Sequence, residues 1–407
     1  MATAKPTVLV LMGGYWPGHE ATGPNQSLRQ MVAALSDDFS FRIIARARAP
    51  GARVSIASSG GWLKRDGADV HYCHASAFGA RGLRRLICET PHDILSLNGF
   101  FDRDFTIPAL VLKRLRLIPR RPTLLSIRGE MADGALGLKS ARKRTYMTGA
   151  RRAGLVRDVW LHATSPYEAA DIARRLPGSR GILQAPNISR LIAPPERTTP
   201  TASDGRLRLV FVGRVSRVKN LGFALDILHR ANVPLDFDIY GPLADRSAVA
   251  DIRRAMTALP PHIRITLKGE ISNADVPRVM ASADLFFMPT LGENFGHAIF
   301  EALSCGVPVL ISDRTPWRDL HVQQAGWDLP LDQPQTFVDV IRQLANMTKA
   351  DRRALQRGAR SLAERHVADT NAPDAMRRMF AAILADSSAE LVPGSVSGLG
   401  NTCRASP

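Results

Sequence analysis

The sequence predicts an α/β protein made of two doubly wound domains that face each other across a cleft. Short apolar runs alternate with stretches of helical periodicity, the pattern of parallel sheets covered on both faces. The alternation breaks once, in the Pro-, Thr- and Ser-rich stretch 192–204, and then begins again, which marks an interdomain linker. With 407 residues, 45% of them hydrophobic, the chain is long enough to bury two separate cores.

In chain order, the first half supplies apolar strands at 7–12, 41–45, 70–73, 94–97, 123–127, 160–163 and 182–185. Helical periodicity falls between them at 26–36, 105–117, 141–153 and 167–176. After the linker, strands are expected at 207–212, 237–240, 263–267, 285–288 and 307–311, with helices at 221–231, 247–259, 276–283 and 297–304. From residue 335 the chain reads as helical, and 389–407 reads as a disordered tail.

A formal net charge of +17 points to a polyanionic partner: nucleic acid, an anionic membrane face or a phosphate-bearing substrate. Two runs lack acids altogether. One holds Lys113, Arg114, Arg116, Arg120 and Arg121; the other holds Lys139, Arg142, Lys143, Arg144, Arg151, Arg152 and Arg157. Both interleave with Leu, Val and Tyr, as basic amphipathic helices on an anionic membrane surface do, although a solvated helix face reads equally well. Aromatics make up 6% and do not punctuate these runs, and no zinc-finger, homeodomain or RNA-binding signature is present, so nucleic acid is not the expected partner. The four cysteines show no metal-type pairing, which suits a reducing, cytoplasmic compartment. The apolar run 7–12 is too short for a signal peptide, and none approaches the roughly 20 residues that span a bilayer, so a soluble or inner-leaflet peripheral protein is expected.

The segment 290–306 carries the most chemistry. Glu293 and Glu301 bracket Phe295-Gly296 between two apolar strands. In one unbroken helix their offset would mean about 12 Å of rise. Gly296 suggests instead a helix that starts near His297, leaving Glu293 in the loop and Glu301 in the second turn. Both would face the strand-to-helix crevice where open α/β sheets bind ligands. Ala298, Ile299, Phe300, Ala302 and Leu303 surround Glu301 with apolar neighbours, so its carboxylate needs partners, and ligand hydroxyls are good ones. Without context the pair reads as a loop and a surface glutamate.

Upstream, Gly213, Arg214 and Lys219 lead from a strand directly into a helix. Dipole, free N–H groups and two cations together suit a diphosphate, whereas taken singly they are a decorated loop. In the first half Gly13, Gly14 and Gly23 permit close backbone approach after strand one, without matching a dinucleotide or P-loop pattern. Ser126-Ile-Arg-Gly-Glu130 ends another strand with Arg128, a candidate ligand contact or a surface salt bridge.

Taken together these residues resemble glycosyltransferase family 4, retaining enzymes of the two-domain, Rossmann-like GT-B fold. The specific blocks are Phe211-Val-Gly-Arg-Val-Ser-x-x-Lys-Asn220, Met280-Ala-Ser-Ala-Asp-Leu-Phe-Phe-Met-Pro289, the paired glutamates and Cys305-Gly-Val-Pro-Val309, with Thr315-Pro316-Trp317 marking a branch. The resemblance implies an acceptor-side domain at 1–190 completed by a helix near 372–387, a linker at 191–205 and a nucleotide-sugar-binding domain at 206–370. It implies that Arg214 and Lys219 bind the donor diphosphate, Glu301 the ribose and Glu293 the transferred sugar. Gly213, Asn294, Phe295 and Gly296 would cradle the donor, and Gly23 would lie near its phosphates. Many family members carry a His where this chain has Arg128, and a guanidinium cannot act as a base near neutral pH. The implied substrates are a nucleotide diphosphate sugar and a glycan or lipid-linked acceptor hydroxyl. With no Asp-x-Asp motif in a site position, neither an essential metal nor another cofactor is expected. The rival readings are a nucleotide-sugar epimerase on a related fold and, from charge alone, a nucleic-acid-binding protein.

Overall fold

The computed structural model describes residues 4–15, 23–47, 61–74, 79–132, 140–193, 205–243 and 245–390. Strands β1 (Thr7–Met12), β2 (Ser40–Arg46), β3 (Leu63–Arg65), β4 (Ala68–Cys73), β5 (Ile94–Asn98), β6 (Thr123–Ser126), β7 (Trp160–Ala163) and β8 (Gly181–Gln184) form one sheet. Their order is β3-β4-β2-β1-β5-β6-β7-β8, parallel throughout except for the β3 edge, which runs antiparallel to β4. Strands β9 (Leu207–Val212), β10 (Leu235–Tyr240), β11 (Ile263–Gly269), β12 (Leu285–Met288), β13 (Val309–Ser312) and β14 (Gly326–Leu329) form a second, parallel sheet ordered β11-β10-β9-β12-β13-β14. The central strands are apolar at nearly every position because helices cover both faces.

Alternation along β1 splits the first domain into two cores. Val8 and Val10 face one side with Phe41 and Ile43, while Leu9 and Leu11 face the other with Leu95 and Phe105. The second domain is built around a single cluster that runs from Leu207 to Ala363. Helix Lys349–Thr370 ends at Asn371, whose left-handed φ of 38° turns the chain back. The following helix, Ala372–Glu390, returns to the first domain and inserts Met376, Met379, Phe380 and Ile383 into the Val8–Phe41 core. The Phe380 ring lies 5.2 Å from Phe39, and Arg377–Asp38 and Arg180–Asp386 ion pairs tie down its ends.

Three elements escape the sequence pattern: β3, β14 and the helix Ala80–Glu89. Strand β3 has no alternation to read, and its signal is the turn Asp66-Gly67, where both residues have positive φ, as a two-residue hairpin requires. The helix expected at 105–117 is shorter, Thr106–Arg114. Arg116 adopts a φ of 59°, Leu117 bonds back to Leu112, and Pro119 cannot continue a helix. The outer half of the first basic run is therefore not helical. The tail 389–407 needs the same correction at its start, since the last helix runs to Glu390; residues 391–407 lie outside the described residues, as do 194–204 of the linker. Among the described residues no helix is long and apolar enough to cross a membrane.

Candidate active site

Each sheet reverses its strand order once. The first does so between β1 and β5, the second between β9 and β12. Open α/β sheets bind ligands outside the strand carboxyl ends at such switch points. The loops that leave β9 and β12 carry the residues singled out from the sequence.

After β9, Arg214 is exposed and a short turn, Arg217–Lys219, delivers Lys219 to the loop after β12. There Lys219 Nζ forms an ion pair with Glu293 Oε1, both side chains being largely buried. Leu291 N and Thr290 Oγ1 both donate to Val218 O, at 2.7 and 3.0 Å, which locks the two loops together. Gly296 then takes a φ of 78°, and a Cβ there would fall 2.7 Å from Ile299 Cδ1, so only glycine makes this turn. Helix His297–Ser304 starts at once, with Ile299 N and Phe300 N both bonded to Gly296 O. The N–H groups of Gly296, His297 and Ala298 precede those first internal bonds and point out of the helix start.

Glu301 lies one turn further, half-buried among apolar neighbours. Loss of solvent pushes its carboxyl up to about 7. Gln26 Nε2 of the first domain donates to it at 3.4 Å. Other bonds also cross the cleft. Asn294 exchanges bonds with Thr164 Oγ1 at 3.1 and 3.4 Å, so this side chain faces the first domain. Gly129 approaches it so closely that a Cβ would fall 2.7 Å from Asn294 Cβ. His297 Nε2 lies 2.8 Å from Ser27 Oγ, whose hydroxyl donates to Gly23 O at 3.1 Å, so the imidazole is the donor to Ser27. Burial, reinforced by the charges of Arg128 and Lys219, lowers the His297 pKa to about 3, and the ring is neutral. Gly23 opens helix Gly23–Leu35, where its bare Cα leaves room for His297.

On the first domain Arg128 is not a surface residue. Its Nε and Nη2 donate to Asn98 Oδ1 at 3.2 and 3.0 Å, and Nη1 donates to Asn187 Oδ1 at 3.2 Å. Burial lowers its pKa to about 10, partly offset by Glu168, so it stays charged. Besides His297, the imidazole whose pKa feels the Arg128 charge is His162, near the end of β7. Its Nε2 donates to Ala185 O at 2.8 Å and its Nδ1 accepts from Ser126 Oγ at 3.0 Å. Burial first, then Arg128, lowers its pKa to about 4. Both ring nitrogens are occupied, so His162 does not offer a base to the cleft. His297 and Ser27 were missed in the sequence; the available signal was a polar side chain directly after the Gly296 turn, aimed out of a helix start.

The two acid-free runs converge in space, with Arg114 Nε donating to Ala153 O at 3.0 Å. Arg121 lies just before β6 and Arg157 just before β7, so these parts of the runs form a basic edge at the strand amino ends, opposite the cleft. Val111, Leu115 and Leu117 are exposed within it. Lys143, by contrast, sits 5.1 Å over the Phe101 ring beyond the carboxyl end of β5.

Residues 195–361 match the family model described as glycosyl transferases group 1. A phosphatidyl-myo-inositol mannosyltransferase of Mycobacterium leprae (strain TN) is 28% identical over 136 residues, 33% of this chain and 36% of that protein. An O-antigen chain mannosyltransferase B of Escherichia coli is 45% identical over 47 residues, 12% of each. The chain thus spans about a third or less of the length of the curated relatives it matches. Among solved structures, a sucrose-phosphate synthase of Thermosynechococcus elongatus superposes with a TM-score of 0.70 at 16% identity over 94% of this chain and 100% of that one. HepE of Anabaena, in complex with UDP and glucose, gives 0.64 at 15% over 95% and 99%. WaaG, a glycosyltransferase involved in lipopolysaccharide biosynthesis, gives 0.61 at 15% over 95% and 100%. At such identities the likeness establishes the fold, GT-B.

Proposed function

From the match of residues 195–361 to the group 1 glycosyl transferase family model we propose that the protein transfers a sugar from a nucleotide diphosphate sugar to an acceptor hydroxyl with retention of configuration. The observation that carries this reading is the meeting of Arg214, Lys219, Glu293 and the open helix start at His297 on the β9/β12 switch point. Arg214, Lys219 and the N–H groups at 296–298 hold the donor diphosphate, Glu293 the sugar and Glu301 the ribose. As the bond from the anomeric carbon to phosphate breaks, these donors stabilise the charge that develops, each by roughly 3 kcal/mol. The acceptor oxygen bonds to the anomeric carbon from the same face and gives its proton to the departing phosphate oxygen. No side chain in these motifs serves as a double-displacement nucleophile, and His162 and His297 are engaged elsewhere as neutral rings.

The test has three parts. Thermal shifts with UDP-, GDP- and ADP-sugars identify the donor, since a ligand at 100 times its Kd adds about 2.7 kcal/mol. The names of the curated relatives make a mannosyl donor the first to try. Release of nucleoside diphosphate in proportion to acceptor, with NMR of the product anomer, then separates a retaining transferase from an epimerase. Full activity in EDTA is expected; collapse there, restored by magnesium or manganese, would show that Arg214 and Lys219 are not sufficient counter-charge.

Glycan and lipid-linked acceptors are separated by the basic edge. Docked on an anionic inner leaflet through Arg114, Arg116, Arg120, Arg121 and Arg157, at about 1 kcal/mol each, the protein would turn its cleft away from the bilayer. That orientation favours a glycan reached from the cytoplasmic water over a sugar held close to the lipid. Sedimentation with anionic vesicles should fall steeply with salt, and equal recovery with neutral vesicles would make the edge a solvated surface.

A further inference from the structure

Thr315-Pro316-Trp317 contributes none of the groups assigned to the substrate above, yet it braces the loop that does. The end of β13 and the segment that follows it run beside the loop after β12 and grip it three times. Ser312 Oγ donates to Thr290 O, Glu293 N donates to Arg314 O at 3.0 Å, and Trp317 Nε1 donates to Phe295 O at 2.7 Å. Thr315 Oγ1 in turn accepts from Trp317 N at 3.2 Å and sets the indole's approach. Trp317 is only 6% exposed and packs against Phe295, Phe300 and His366, with ring centroids 5.7, 6.1 and 4.8 Å away.

The third grip acts on a particular peptide. In a planar trans peptide the C=O and the N–H point in opposite directions. Holding the Phe295 carbonyl down against a buried indole therefore turns the Gly296 N–H the other way, toward the cleft. The left-handed φ of Gly296 then brings the next N–H groups, of His297 and Ala298, round to the helix start. We propose that Trp317 is a positioning residue of the donor site: its indole N–H fixes the 295–296 peptide so that the Gly296 N–H is presented to the distal, sugar-bearing phosphate. The inference rests on the donor reading given above. It assigns Trp317 no contact with substrate.

The test is Trp317→Phe, which keeps an aromatic ring in the cluster and deletes the N–H. Calorimetry on the full chain would measure a nucleoside diphosphate and its monophosphate, using whichever of UDP, GDP and ADP the wild type binds. The expected result is about a tenfold or greater loss for the diphosphate, the worth of one charge-assisted hydrogen bond, with monophosphate affinity within twofold of wild type. Equal loss for mono- and diphosphate in Trp317→Phe would make the indole a general support of the loop and overturn the proposal, as would no loss for either. A wild type that binds no nucleoside diphosphate would sink the donor reading itself, and this inference with it, a result distinct from a variant that fails to differ.

Discussion

The two carboxyl-end rims that face each other across the cleft are made of the same kinds of residue used in opposite ways. On the first domain Arg128 is committed to Asn98 and Asn187, Glu168 accepts from Gly129 N, Thr164 N and Thr164 Oγ1, and His162 is bonded through both nitrogens. These groups satisfy one another and behave as struts. On the second domain Lys219 and Glu293 pair with each other. Among the described residues, however, Arg214 is exposed, Glu301 is met at 3.4 Å by Gln26, and the N–H groups at 296–298 precede the first internal helix bonds. A charge at a strand end is thus no sign of a ligand contact by itself. Unspent bonding capacity is the better sign, because a buried polar group that is already satisfied gains little from a ligand.

The largest effect should come from the second rim. Lys219→Ala is expected to lower turnover by about two to three orders of magnitude with the fold intact, and Arg214→Ala similarly. Near-normal turnover in either would erase the contrast drawn here.

Next comes Glu301→Gln, expected to weaken nucleoside diphosphate binding about ten- to a hundredfold through loss of a charged acceptor. Because the Glu301 pKa stands raised from 4.5 to about 7, wild-type nucleotide affinity should climb as pH rises through 7, and the variant should lose that climb. The sign for stability is the reverse. A carboxyl whose folded pKa is raised favours the fold below pH 4.5 and loses that contribution as pH rises through 7. Ligand-free Glu301→Gln should therefore melt above wild type at pH 8 and level with it at pH 4.

Arg128→Lys is a test of the struts. One ammonium cannot bridge Asn98 and Asn187 as the planar fork does, so a cost of about 1–3 kcal/mol in unfolding free energy is expected, with turnover changed only a few-fold. Unchanged stability with lost acceptor affinity would move Arg128 to the substrate side. The smallest effect belongs to Ser27→Ala, which removes the His297 contact across the cleft; a rise of a few-fold in donor KM at constant kcat is expected. A drop in kcat instead would place domain closure in the rate-limiting step.

The fold was legible where burial on both faces left long apolar strings: β1, β9 and β12 could be read almost to the residue. Strand β3 could not, because Lys64 and Arg65 carry no pattern and only its turn speaks. The local geometry of the candidate site was legible through spacing, since Gly296 divides the loop that holds Glu293 from the helix that holds Glu301. The partners of the site were not. That Asn294 turns to Thr164, or that Trp317 reaches Phe295, depends on loops brought together by sheet order, which no local window contains.

The helix Ala372–Glu390 has a consequence for the order of synthesis. The first sheet leaves the ribosome early, yet one of its two faces is covered only in part, by helix Gly23–Leu35, until Met376, Met379, Phe380 and Ile383 arrive, after the whole second domain has been made. At ordinary elongation rates that interval is on the order of tens of seconds. For that time the nascent first domain offers Phe39, Phe41 and their neighbours to solvent, a natural place for a chaperone to bind. A nonsense codon just before Met376 would therefore damage the amino-terminal half of the protein while leaving the domain next to the lesion whole.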